Sequence, residues 1–135
     1  MARNFTEIVW DRAHGSCEYC KMPQESDELT FEVEHIISKK HGGKTTLSNT
    51  CLACFGCNRY KGSDIAGRDD KTGKLVSLFN PRRMNWTRHF RWDGPRLIGR
   101  SAIGRVTVKI LGINLAHRVE FRQELIDANL FFPDT

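Results

Sequence analysis

The sequence predicts an α+β domain, and three observations carry that reading. Two Cys-x2-Cys turns, Cys17/Cys20 and Cys54/Cys57, stand 33 residues apart. Residues 30–37 between them, Thr-Phe-Glu-Val-Glu-His-Ile-Ile, alternate in the manner of a strand. The segment after the second turn has helical character up to Gly67. The composition agrees: of 135 residues, 39% are hydrophobic and 27% charged, which is globular rather than disordered. No run approaches the ~20 apolar residues of a membrane span. The opening residues, Met-Ala-Arg-Asn-Phe-Thr-Glu, hold no apolar stretch. That predicts no secretory signal and a cytoplasmic chain, whose cysteines serve as metal ligands rather than disulfides.

The elements follow in order. Asn4 or Thr6 can cap a first helix with Phe5, Ile8 and Val9 apolar and Gly15 as its stop. After the first cysteine turn and the strand at 30–37, the paired glycines of Lys39-Lys40-His41-Gly42-Gly43-Lys44 mark a loop. Residues 46–52 are a short extended piece, and a helix starts near Asn58. Residues 67–74 form a polar turn. Residues 75–79 are apolar and are stopped by Asn80-Pro81. Asp93-Gly94-Pro95 is a turn between two short pieces at 90–92 and 96–98. Residues 105–111 alternate Val106, Val108 and Ile110 against Thr107 and Lys109, which predicts a strand. Asn114 can cap a closing helix with Leu115, Val119, Ile126 and Leu130 on one face. The expected division is 1–66 and 67–135, the second part packed on the first because so short a tail makes a marginal core alone.

Two residues between cysteines let both thiolates of a tight turn reach one ion. Two such turns make the closed tetrahedral set of a structural zinc site. The predicted ligands are Cys17, Cys20, Cys54 and Cys57. Cys51-x2-Cys54 also fits the spacing. We prefer Cys57, because Gly56 eases the turn before it and Cys51 lies in the extended piece, where a small apolar side chain suits.

A second constellation lies beside the cysteines: Glu34-His35, Asn49, Asn58 and Lys61. Its residues stand in the segments Phe-Glu-Val-Glu-His-Ile-Ile (31–37), Gly-Lys-Thr-Thr-Leu-Ser-Asn (43–49) and Cys-Phe-Gly-Cys-Asn-Arg-Tyr-Lys-Gly-Ser (54–63). Over roughly residues 8–65 the chain resembles the zinc-bearing branch of the HNH endonucleases, the ββα-metal nucleases. The resemblance implies a ββα-metal core stapled by the four-cysteine zinc site; the family motif does not extend into the tail, whose own sequence predicts a basic β-rich extension and a C-terminal helix. It also implies roles: Glu34 and Asn58 as ligands of a catalytic Mg²⁺ or Mn²⁺, His35 as general base, Asn49 as the residue that holds the base and its loop, and Lys61 facing a phosphate. The chemistry is consistent. Imidazole accepts a proton at neutral pH, and oxygen donors suit a hard divalent cation. Adjacent strand residues point to opposite faces, so Glu34 and His35 can share a site only where the strand twists or ends.

Charge adds a partner. Residues 1–80 balance at eleven basic and eleven acidic residues, whereas residues 81–110 carry eight basic residues and only Asp93. A localised basic stretch points to nucleic acid. Lys39, Lys40, Lys44 and Arg59 near the motif, with Arg82, Arg83, Arg88 and Arg91 in the tail, are the candidate DNA contacts. Trp86, Phe90 and Trp92, interleaved with those arginines, are expected in the core of the tail. The function expected is metal-dependent hydrolysis of DNA phosphodiesters by a chain compatible with a monomer and without a membrane. The alternative is a non-catalytic zinc-finger module that binds DNA.

Overall fold

The computed structural model describes residues 3–133. Helix α1 (Phe5–Arg12) begins at Asn4, whose side chain accepts from the Glu7 amide while Glu7 reaches back to the Asn4 amide. The chain then turns through the first cysteine pair. Strand β1 (Glu32–His35) pairs antiparallel with β2 (Thr50–Ala53), with Glu34 opposite Cys51 and His35 opposite Thr50. Helix α2 (Phe55–Lys61) follows directly, with Cys54 at its N-cap. Helix α2 starts three residues earlier than Asn58, because the cysteine turn itself is its first turn. Residues 46–52 are only partly extended: Leu47–Asn49 is a 3₁₀ turn before β2.

The second half is mixed rather than β-rich. Strands β3 (Ala66–Arg68) and β4 (Leu75–Ser77) form a hairpin across the polar turn. Asp69 organises that turn by accepting from the Thr72 amide and hydroxyl, and it also takes a two-pronged ion pair from Arg105. The short helix α3 (Trp86–His89) leads into the hairpin of β5 (Phe90–Asp93) and β6 (Arg96–Gly99). Gly94, at φ +55, takes the left-handed conformation its two-residue turn requires.

Residues 105–111 are not a strand. All but the last belong to helix α4 (Ala102–Ile110), capped by Ser101, whose hydroxyl accepts from the Gly104 amide. The β-branched alternation there masks a helical set, Ile103, Val106, Thr107 and Ile110, spaced three, one and three apart. What favours the helix is a glycine pair. A Cβ at Gly104 would lie 2.0 Å from the His89 carbonyl oxygen, and one at Gly99 2.3 Å from the Arg105 amide nitrogen. The helix therefore rests on the strand backbone to backbone.

Helix α5 (Ala116–Asp127) closes the fold. Its N-cap is Leu115, not Asn114. The Asn114 side chain instead clasps Leu97, accepting from its amide at 3.0 Å and donating to its carbonyl at 2.8 Å. The inward stripe also differs from the predicted one. Leu115 and Leu130 are exposed, whereas Arg122 and Leu125 are buried. Arg122 is accommodated because it donates to the carbonyls of Pro95 and Ile113.

The two halves share one core, which includes Val9, Leu52, Phe79, Phe90, Leu97, Val106 and Ile113. Trp86 crosses between them, its indole N–H donating to the Tyr19 carbonyl at 2.8 Å, and its ring packs on Phe90 and Trp92. No helix among the described residues is long and apolar enough to cross a membrane.

Candidate functional site

Each cysteine turn is shaped by its own backbone. The Cys20 amide points at Cys17 Sγ at 3.5 Å, and the Cys57 amide at Cys54 Sγ at 3.4 Å. The turns are brought face to face by Glu18, whose amide donates to the Leu52 carbonyl while its carboxylate accepts from the Leu52 amide. The sulfurs of Cys17, Cys20, Cys54 and Cys57 all lie within 4.8 Å of one another, and all four residues are buried. Cys20 Sγ and Cys54 Sγ are 3.6 Å apart. A tetrahedral zinc with bonds near 2.3 Å sets its sulfurs about 3.8 Å apart, so the donor set fits that ion. Burial pushes the Cys17 and Cys57 thiols up, and a central cation is what offsets that cost in a tetrathiolate. Cys51 lies outside this group. It is fully buried on β2, where burial pushes its thiol up to about 12, as suits an inert core residue.

The second cluster sits where β1 faces α2. Strand alternation puts Glu32 and Glu34 on one face, and the helical repeat puts Asn58 and Lys61 on another. The two faces meet in two rungs. Asn58 Nδ2 donates to Glu32 Oε2 at 2.7 Å, and Lys61 Nζ stands 3.7 Å from Glu34 Oε1. Burial raises the Glu34 pKa, and the Lys61 ammonium works against that rise. Lys61 is itself 1% exposed and donates to the His35 carbonyl at 3.2 Å. A phosphate-facing Lys61 does not fit this placement. Its ammonium is turned inward, because it is held between a buried carboxylate and a strand carbonyl.

His35 ends β1, and its ring goes the other way, Nε2 meeting Thr45 Oγ1 at 2.8 Å. The loop that carries Thr45 is clasped by Asn49. Its Oδ1 accepts from the Ile37 amide, and its Nδ2 donates to the carbonyls of Ile37 and Lys44, each at 2.9 Å. Gly43 lies under this clasp, where a Cβ would come 1.7 Å from the Ile37 carbonyl oxygen. The structure thus joins Glu34, Lys61 and the His35 backbone, and separately Asn58 with Glu32. The His35 ring bonds to Thr45 and not to Glu34 or Asn58.

Residues 17–64 match the family model of the HNH endonuclease. Over that segment the chain is similar to the HNH endonucleases. No curated protein and no solved structure matches it. The matched segment spans both cysteine pairs, β1, β2 and α2, so the likeness covers both clusters, and the family it points to is one of nucleases.

Of the basic residues, Lys39, Lys40, Lys44, Arg59, Arg83, Arg88 and Arg91 are exposed. Arg82 is not available as a DNA contact. Its side chain is 16% exposed and ion-paired with Glu18 of the first cysteine turn, and burial lowers its pKa to about 10. Trp86, Phe90 and Trp92 pack among themselves and against Phe131, as core residues do. Sequence reasoning missed Glu32, Thr45 and Arg118. Glu32 was visible as the strand-periodic partner of Glu34. Arg118 reaches the cysteines from α5, and no local pattern marks it.

Proposed function

We propose that the protein is a metal-dependent DNA endonuclease. His35 is its general base, and Glu34 and Asn58, joined by Glu32, hold one Mg²⁺ or Mn²⁺. The observation that carries this reading is the meeting of β1 and α2. Glu34 and, in a separate rung, the Asn58–Glu32 pair line that contact near the residue that ends β1, and hard oxygen donors of this kind suit those ions. When bound, the ion would supply charge stabilisation at the scissile phosphate. The chain's own residues supply the rest. Thr45 Oγ1 meets Nε2 of His35 and fixes the ring; in the tautomer in which Nε2–H donates to Thr45, Nδ1 is the atom that accepts a proton from the attacking water. Asn49 holds the loop that carries Thr45. Lys61 anchors the His35 backbone and orients Glu34, so it is a positioning residue. The exposed Lys39, Lys40, Lys44, Arg59, Arg83, Arg88 and Arg91 track the phosphate backbone.

One observation favours the non-catalytic zinc module instead: the Lys61 ammonium already neutralises Glu34. Plasmid nicking separates the two. The zinc-loaded wild type should nick supercoiled DNA only with added Mg²⁺ or Mn²⁺. His35→Ala should fold and bind DNA as before and cleave ~10²–10⁴-fold more slowly. Cleavage by His35→Ala at the wild-type rate removes the mechanism. DNA binding with no nicking under any divalent ion establishes the module.

A further inference from the structure

The cysteine cluster has a fifth partner that comes from far along the chain. Arg118, in the first turn of α5, points its guanidinium at the sulfurs: Nη2 is 3.2 Å from Cys57 Sγ and 3.7 Å from Cys54 Sγ. Its Nη1 donates to the Leu111 carbonyl, just past the end of α4, at 2.7 Å. The space it occupies is kept open by Gly56, where a Cβ would lie 3.0 Å from Arg118 Cζ. One planar group therefore joins the cysteine turn that opens α2, the end of α4 and the start of α5.

Charge gives this contact a direction. Four thiolates around one Zn²⁺ carry a net charge of −2 in a buried site. A guanidinium at hydrogen-bond distance offsets part of it, and sulfur accepts such a bond better as a thiolate than as a thiol. From this we propose that Arg118 is the outer-sphere cation of the zinc tetrathiolate, and that zinc loading and the seating of α5 reinforce each other. The coupling is reciprocal by linkage: whatever Arg118 adds to zinc affinity, zinc adds to the docking of α5. The second anchor of α5, Arg122, hydrogen-bonds to carbonyls and to the Asn114 side chain and lies over the Trp92 ring, with no hydrogen bond to a sulfur. The inference rests on the tetrathiolate reading of the metal site and not on the nuclease reading.

The test is zinc affinity by competition with a chromophoric chelator at fixed ionic strength, together with amide hydrogen exchange over residues 116–127. Arg118→Gln should bind zinc about 10–100-fold more weakly than wild type. Arg118→Lys should fall between them, because an ammonium keeps the charge but cannot bridge both sulfurs and the Leu111 carbonyl. The exposed Arg96→Gln, which removes the same charge elsewhere, should match wild type. With zinc in excess, Arg118→Gln should exchange faster than wild type over residues 116–127 and match it over residues 5–12. If Arg118→Gln and Arg118→Lys hold zinc within about twofold of wild type and exchange over α5 is unchanged in both, the proposal is overturned while the zinc site stands. Well-folded wild type that takes up no zinc overturns the tetrathiolate reading, and this inference with it. If Arg118→Gln does not fold, the ordering of zinc affinities among wild type, Arg118→Lys and Arg96→Gln decides.

Discussion

Asn49→Ala isolates the clasp that holds the loop beside His35. The asparagine makes three hydrogen bonds of 2.9 Å, to both backbone groups of Ile37 and to the Lys44 carbonyl. Each is worth about 1 kcal/mol net. The side chain is half-buried, so water recovers part of this, and the expected loss is about 2–3 kcal/mol. For a domain of this size that lowers the melting temperature by about 6–12 °C. Urea unfolding with zinc in excess measures the loss directly, and hydrogen exchange should place it in residues 37–44. Asn49→Asp should be no better, because a carboxylate keeps the bond from the Ile37 amide but sets its charge against two carbonyl oxygens. Ser48→Ala, next door and exposed, is the control and should stay within about 0.5 kcal/mol. An Asn49→Ala protein as stable as that control would mean the loop is held by other contacts, and the clasp would lose its place in the proposed mechanism.

Two further pairs of substitutions separate neighbours that look alike in sequence. Cys51→Ser should keep one zinc per chain and lose about 1 kcal/mol from its buried hydroxyl, whereas Cys57→Ser should lose the metal and the fold; elemental analysis of both proteins decides. Arg82→Ala should destabilise the protein by about 2–3 kcal/mol by stranding the buried Glu18, while Arg83→Ala should leave stability alone and lower the salt slope of DNA binding by about one. The reverse pattern would place Arg82 on the DNA.

The cysteine tetrad and the β1–β2–α2 order were legible because each has a short-range signature. A Cys-x2-Cys turn converges its sulfurs by local geometry, and strand alternation spans a few residues. The reading failed where two distant segments decide. Lys61 reads as a surface helix lysine until Glu34 and the His35 carbonyl are set opposite it. Arg82 reads as part of a basic run, although its charge is committed to Glu18. Residues 105–111 satisfy strand periodicity over a window too short to expose the helical one, and the contact between Gly99 and Gly104 tips the balance toward helix. Arg118 lies 64 residues beyond Cys54 and 61 beyond Cys57, so only the folded chain brings them together.

The contact between Gly99 and Gly104 also bears on the proposed binding of DNA. At Gly99 and Gly104 no side chain separates β6 from α4, and the two backbones touch there. The β5–β6 hairpin is therefore mounted on α4 as one stiff piece. Arg91 projects from a fixed frame instead of a wandering arm. The entropy of aligning its attachment point is lost when the protein folds. Association then has only the side chain itself left to order, which spares affinity at the moment of encounter.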